Sequence, residues 1–120
     1  MDGVAGLHND ASCVIDGGLI RNNNSHGVAV YKGSVLTMRS GTISENQADI
    51  GAGVYVVDDG HFTMSGGTIT GNKATGYGGG LYIFDRNNFE QTGGSIRGNT
   101  AGQGSDPDMA AEQWTWSFGR

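Results

Sequence analysis

An all-β fold, a short parallel β-helix, is what this sequence predicts, and three observations predict it. First, four segments of the 120 residues align without a gap: 13–25, 36–48, 62–74 and 89–101, reading CVIDGGLIRNNNS, LTMRSGTISENQA, FTMSGGTITGNKA and FEQTGGSIRGNTA. Second, apolar and polar residues alternate in three short runs per copy, a period of two that belongs to strands. Third, no stretch before residue 105 sustains helical spacing, which disfavours the helix-containing repeats that share this length. Stacking such copies buries a continuous core that a single copy cannot build alone. The expectation is about four coils, three strands per coil, over residues 1–104.

Each copy opens with an alternating pair. Cys13 and Ile15, Leu36 and Met38, and Phe62 and Met64 are apolar at i and i+2, with Val14, Thr37 and Thr63 between them. Glycines at 18, 41, 67 and 94 follow, where a sharp bend at positive φ would force a side chain into its own backbone. A second alternating triplet comes next, centred on Ile20, Ile43, Ile69 and Ile96, which would stack as an apolar ladder. Three residues on stand Asn23, Asn46, Asn72 and Asn99. At a bend, a buried amide must be hydrogen-bonded, and the matching amide one coil away is the natural partner. The small residues Ser25, Ala48, Ala74 and Ala101 fit an inward corner. The connecting segments supply the third run: Val28-Ala29-Val30, Val54-Tyr55-Val56 and Leu81-Tyr82-Ile83.

Residues 105–120 break the pattern. Asp106-Pro107 followed by Asp108 to Gln113 has the form of a helix start with proline in the first turn. Trp114, Trp116 and Phe118 then alternate with Thr115 and Ser117 as a strand with one aromatic face. A solenoid ends in raw strand edges and an open core, so this tail is expected to be a C-terminal cap or to lie along an apolar face.

Composition narrows the functional classes. The chain carries 7 Lys+Arg against 12 Asp+Glu, a net charge of −5, so a nucleic acid is not expected as its partner, since phosphate binding needs a basic surface. A single cysteine allows no internal disulfide and no CxxC metal site. No apolar run approaches the roughly 20 residues of a membrane-spanning helix, and membrane insertion is not expected. Residues 1–30 lack the regions of a signal peptide, so export would rely on a signal outside them.

The segments GGGLYIF (78–84) and GGTITGNKA (66–74) resemble repeats of the polymorphic outer-membrane proteins, an autotransporter adhesin family. That family alternates a GGA[ILV] motif with FxxN; here Ile20, Ile43, Ile69 and Ile96 stand in the place of its phenylalanine. Ala52-Gly53-Val54 and Gly79-Gly80-Leu81 approximate the glycine motif. The resemblance covers about residues 6–104. It implies a right-handed coil, as does the usual hand of parallel crossovers. It also implies an extracellular or cell-surface location and a non-catalytic, adhesive or scaffolding role for a bacterial passenger-like piece.

Several residues are candidates for a site. With the valines of the third run pointing inward, the outward columns are Ala29/Tyr55/Tyr82 and Tyr31/Val57/Phe84. Exposed contiguous aromatic area marks an interaction surface, here for a protein or a glycan, unless the tail or a second copy covers it. Trp114 and Trp116 join Tyr31, Tyr55, Tyr82 and Phe84 as candidates. Association of copies through coil ends or the aromatic face is a further expectation, because the core is modest. The rival class is a carbohydrate-binding or polysaccharide-active β-helix, which needs clustered carboxylates. Asp58, Asp59 and Asp85, with Lys32 and Arg86 near them, are the residues for a calcium site or catalysis, although acidic residues are ordinary in turns. The partial threonine ladder around Thr68 and Thr70 is expected to be an ordinary solvated face, not an ice-binding one. Asp16 and Arg39 share an outward column as a surface ion pair. Cys13 takes an inward position, and His8, His26 and His61 fall in different columns. No catalytic residue, metal site or cofactor is expected.

Overall fold

The structure, a computed structural model, describes residues 5–7, 12–57, 59–83, 88–102 and 116–118. These form fourteen strands in chain order: β1 (Ala5–Leu7), β2 (Ser12–Arg21), β3 (Val28–Val30), β4 (Val35–Ser44), β5 (Gln47–Ile50), β6 (Val54–Val56), β7 (His61–Met64), β8 (Thr68–Thr70), β9 (Lys73–Tyr77), β10 (Leu81–Ile83), β11 (Phe89–Gln91), β12 (Ser95–Arg97), β13 (Thr100–Ala101) and β14 (Trp116–Phe118). Every pairing among them is parallel. Three sheets run along the solenoid. Sheet A stacks β1, β3, β6, β10 and β14; sheet B stacks β2, β4, then β7 with β8, then β11 with β12; sheet C stacks β5, β9 and β13. The four sequence copies are joined by three turns of 23, 26 and 27 residues. Among the described residues no helix is long and apolar enough to cross a membrane.

The three expected strand runs form where the alternation placed them. The first two lie in one sheet, continuous in β2 and β4 and divided in later coils at the glycine bend. At that bend Gly18, Gly41, Gly67 and Gly94 have φ of 91, 103, 90 and 79°, left-handed values that an L side chain resists. Sheet C was not expected. Its one inward column is Ala48/Ala74/Ala101, too small to register as an apolar alternation.

Cross-strand register puts like residues in layers. Ile20, Ile43, Ile69 and Ile96 lie opposite one another, as do Val28, Val54 and Leu81, and Val30, Val56 and Ile83. Leu36, Met38, Phe62 and Met64 fill the same lumen and are fully buried. Burying side chains of this size contributes about 1.5–3 kcal/mol each. Phe62 stacks on Phe89, 5.5 Å between ring centres. The end positions Cys13, Ile15 and Phe89 are only half-buried, since each lacks a described layer on one side. Cys13 holds the inward place expected for it, but less deeply.

The asparagines form a buried ladder. The amide Nδ2 of Asn23 donates to Oδ1 of Asn46 (2.7 Å), that of Asn46 to Asn72 (2.8 Å) and that of Asn72 to Asn99 (2.9 Å). Their backbone N–H groups donate to the same oxygens at 3.1, 3.1 and 2.9 Å. Asn46, Asn72 and Asn99 also donate to the carbonyls of Ile20, Ile43 and Ile69, tying the corner to the isoleucine ladder.

One expected contact is replaced. A register shift between Ile15 and Asp16 sets Asp16 opposite Ser40, whose hydroxyl donates to Asp16 Oδ1 at 3.0 Å; Asp16 and Arg39 do not face each other. A gap-free alignment cannot contain such a slip. At the other end, β14 pairs with β10 in register Leu81↔Trp116, Tyr82↔Ser117 and Ile83↔Phe118. Thus residues 116–118 are a strand, as the alternation predicts. The helical turns expected over 107–113 lie outside the described residues.

Candidate functional site

The predicted column of Ala29, Tyr55 and Tyr82 is present as consecutive rungs of sheet A. It stands out from the sheet because Val54, Val56, Leu81 and Ile83 turn inward and are fully buried, while Tyr55 and Tyr82 are half-buried. The two tyrosine rings lie 5.8 Å apart at 23°. Ala29, though in the same column, is fully buried.

His26, which the sequence reading named but assigned to no site, completes the column. His26 stacks on Tyr55 with ring centres 4.4 Å apart and planes 5° apart. Its Nδ1 lies 2.9 Å from the Gly51 carbonyl. A carbonyl only accepts, so Nδ1 carries the proton and Nε2 is left at the other edge of the ring. The first turn is 23 residues and the second 26, so His26 has no counterpart in a repeat alignment; that shortness was the one signal that could have found it. The stack alters what the column offers. With His26 over one face of Tyr55 and Tyr82 over the other, the central ring presents its edge to solvent, whereas a sugar stacks on an open face.

The remaining candidates either occupy other positions or lie outside the described residues. Tyr31 and Val57 are half-buried just beyond the ends of β3 and β6; the Tyr31 carbonyl accepts the Ser34 N–H, and the Val57 N–H donates to Val30. Phe84 and Trp114 lie outside the described residues. Trp116 shares its register with Leu81 and Val54, not with Tyr82. Asp58, Asp85 and Arg86 fall outside the described residues, while Asp59 and Lys32 are exposed. Among the described residues no group of three or more His, Cys, Asp or Glu side chains is placed to hold a metal ion. His61 is exposed at the start of β7, opposite Val35, and His8 lies outside the described residues.

Beside the aromatic column is a cleft of about 350 Å³, lined by Asn24, Ser25 and His26 of the first coil, by Ala48, Asp49 and Ile50 of the next, and by Tyr55. It opens where sheet C has no strand from the first coil. The side chains around it are acceptor-rich: the Asp49 carboxylate, the Asn24 amide and the Ser25 hydroxyl. Thr75 donates to Asp49 Oδ1 at 2.9 Å and so fixes the carboxylate at the rim.

Comparison with known proteins bears on the fold. Neither the search of curated proteins nor that of solved structures finds a significant match. The family model described as a right-handed β-helix region matches residues 2–107, most of the chain. This chain, with its parallel rungs, inward isoleucine ladder and asparagine corner, belongs to the right-handed β-helix family.

Proposed function

We propose that this β-helix is a non-enzymatic, adhesive or scaffolding module of a bacterial cell-surface or secreted protein, akin to the passenger repeats of the polymorphic outer-membrane proteins. The observation that carries the reading is the column of His26, Tyr55 and Tyr82, aligned by the rungs of a rigid sheet. A solenoid holds such a column without conformational cost at binding, because the strands beneath it are already ordered. Aromatic side chains of this kind are enriched where proteins meet. Ring edges and hydroxyls directed outward suit a protein surface better than a stacked sugar.

Adhesion to surface-protein and glycan arrays, measured with the full chain and with Tyr55→Ala and Tyr82→Ala, tests the reading. Specific binding that falls about tenfold or more in these variants is the expected result, since aromatic anchors dominate interfaces. Cleavage of acidic polysaccharides in the presence of calcium, lost in Asp58→Ala or Asp85→Ala, would replace it with the enzymatic alternative.

A further inference from the structure

Of the two Asp–Gly pairs among the described residues, Asp16–Gly17 and Asp59–Gly60, the fold leaves one open and closes the other. Asp16, Gly17 and Gly18 lie in β2, the terminal strand of sheet B, and all three are exposed. A Cβ at Gly17 or Gly18 would meet nothing within 4 Å. Their φ values of 96 and 91°, with register shifts on either side of Asp16, make this stretch an irregular edge. In later coils the backbone N–H groups at the same place turn back onto the coil before. Ser65 and Gly66 donate to the Met38 carbonyl, and Thr92 and Gly93 to the Met64 carbonyl. No strand precedes β2 in sheet B, so among the described residues the Gly17 N–H has no carbonyl of this kind. Gly60 is the opposite case. It is buried, and its N–H donates to the Val57 carbonyl at 3.0 Å, closing the turn that carries Asp59.

We propose that Asp16–Gly17 is a modification site at which the chain rearranges spontaneously to isoaspartate, with water as the only co-reactant. The Gly17 nitrogen attacks Cγ of the neutral Asp16 carboxyl. A Cγ–N bond forms and the Cγ–Oδ2 bond breaks. Oδ2 departs as water with the carboxyl proton and the amide proton, leaving a five-membered succinimide. Water then adds to one of the two ring carbonyls. Opening at Cγ restores aspartate; opening at the former backbone carbonyl carbon gives isoaspartate, with the main chain routed through Cγ. The Ser40 hydroxyl donates to Oδ1 at 3.0 Å, which polarises the carboxyl carbon and leaves Oδ2 to depart. Glycine after the acid leaves the attacking nitrogen unobstructed. Two glycines in succession also take up the rotation about the Asp16 Cα–C bond that carries this nitrogen to Cγ. The product has one more carbon in its main chain, so the carboxylate leaves Ser40 and the pairing of β2 with β4 is disturbed at the bend. This chemistry is independent of the adhesive reading.

The test is to warm the full chain in mildly acidic buffer, folded and again in guanidinium, and to locate isoaspartate by peptide mapping with electron-transfer fragmentation. In the folded chain, isoaspartate at residue 16 is expected to exceed that at residue 59 by about tenfold, equivalent to about 1.4 kcal/mol, the scale of one hydrogen bond that must open first. In guanidinium the two sites are expected to react alike, because only the fold distinguishes them. Asp16→Glu, which would need a six-membered ring, is expected to abolish the product at that position. No isoaspartate at residue 16 of the folded chain, an equal yield at residue 59, or a preference that survives unfolding would each overturn the proposal.

Discussion

At the residue scale, the asparagine column shows how a polar side chain comes to be essential inside an apolar lumen. Each carboxamide oxygen of Asn46, Asn72 and Asn99 accepts from both the backbone and the side chain of the preceding asparagine. Removing the Asn72 side chain would strand the Asn46 N–H and one N–H of its Nδ2 and would take a donor from the Ile43 carbonyl, while Asn99 Oδ1 keeps the Asn72 backbone N–H. At about 1–3 kcal/mol per stranded buried group, Asn72→Ala should lose about 2–4 kcal/mol in urea unfolding. Thr42→Ala, on the outer face of β4, should stay within about 0.5 kcal/mol. Asn23 differs: its Oδ1 is buried and has no hydrogen-bond partner among the described residues, so Asn23→Ala also removes an uncompensated acceptor and should cost less than Asn72→Ala. The residue before each asparagine carries a second demand. Asn22, Glu45, Gly71 and Gly98 have φ of 61, 56, 70 and 69°. A non-glycine residue in this region costs about 1–2 kcal/mol, offset in part by the greater unfolded freedom of glycine. Glu45→Gly should therefore raise stability by up to about 1 kcal/mol. The asparagines were legible in the sequence because every coil needs one. The strained corner was not, because two of its four residues are not glycine.

At the scale of the strand, position in the stack decides cost. Ile43 and Ile69 have described isoleucine neighbours on both sides and are fully buried, whereas Ile20 and Ile96 retain 6% exposure at the ends. Ile43→Ala should cost about 3–5 kcal/mol in denaturant unfolding, near the top of the range for core truncation, and Ile20→Ala distinctly less. Backbone approach imposes a different limit at Gly53. A Cβ there would lie 2.3 Å from the Gly80 carbonyl oxygen and 2.9 Å from Ile69, and both neighbours are held by packing or hydrogen bonds. Gly53→Ala is expected to lower stability by about 1–3 kcal/mol, the usual cost of overpacking. Period-two alternation revealed the strands of sheets A and B because their inward residues are large. It missed β5, β9 and β13, where the inward residue is alanine, and it missed the slip that pairs Asp16 with Ser40.

At the scale of the whole molecule, a coil contacts chiefly its neighbours, so stability is close to a sum of layers and their interfaces. Amide hydrogen exchange should show greatest protection in β4, β6, β7 and β8, which have strands on both sides, and least in β1. The tail acts at this scale as well. Strand β14 lies along β10, whose Leu81 and Ile83 are fully buried. Deleting residues 105–120 would bare the β10 edge and invite pairing between copies. Size-exclusion chromatography with light scattering should then report self-association, and a stable, monodisperse truncated monomer would refute a protective role for the tail.

By itself the sequence determined the repeat, the inward ladders, the glycine bend and the tyrosine column, because each demands the same residue type at the same place in every coil. The tertiary structure alone decided what the irregular parts do. The short first turn swings His26 onto Tyr55 and opens a cleft beside Asp49, while Trp116–Phe118 return to sheet A across a connection that no copy shares. A periodic signal comes from what is repeated. These features depend on where one coil differs from its neighbours, and only the packing of unequal turns against each other brings their residues together.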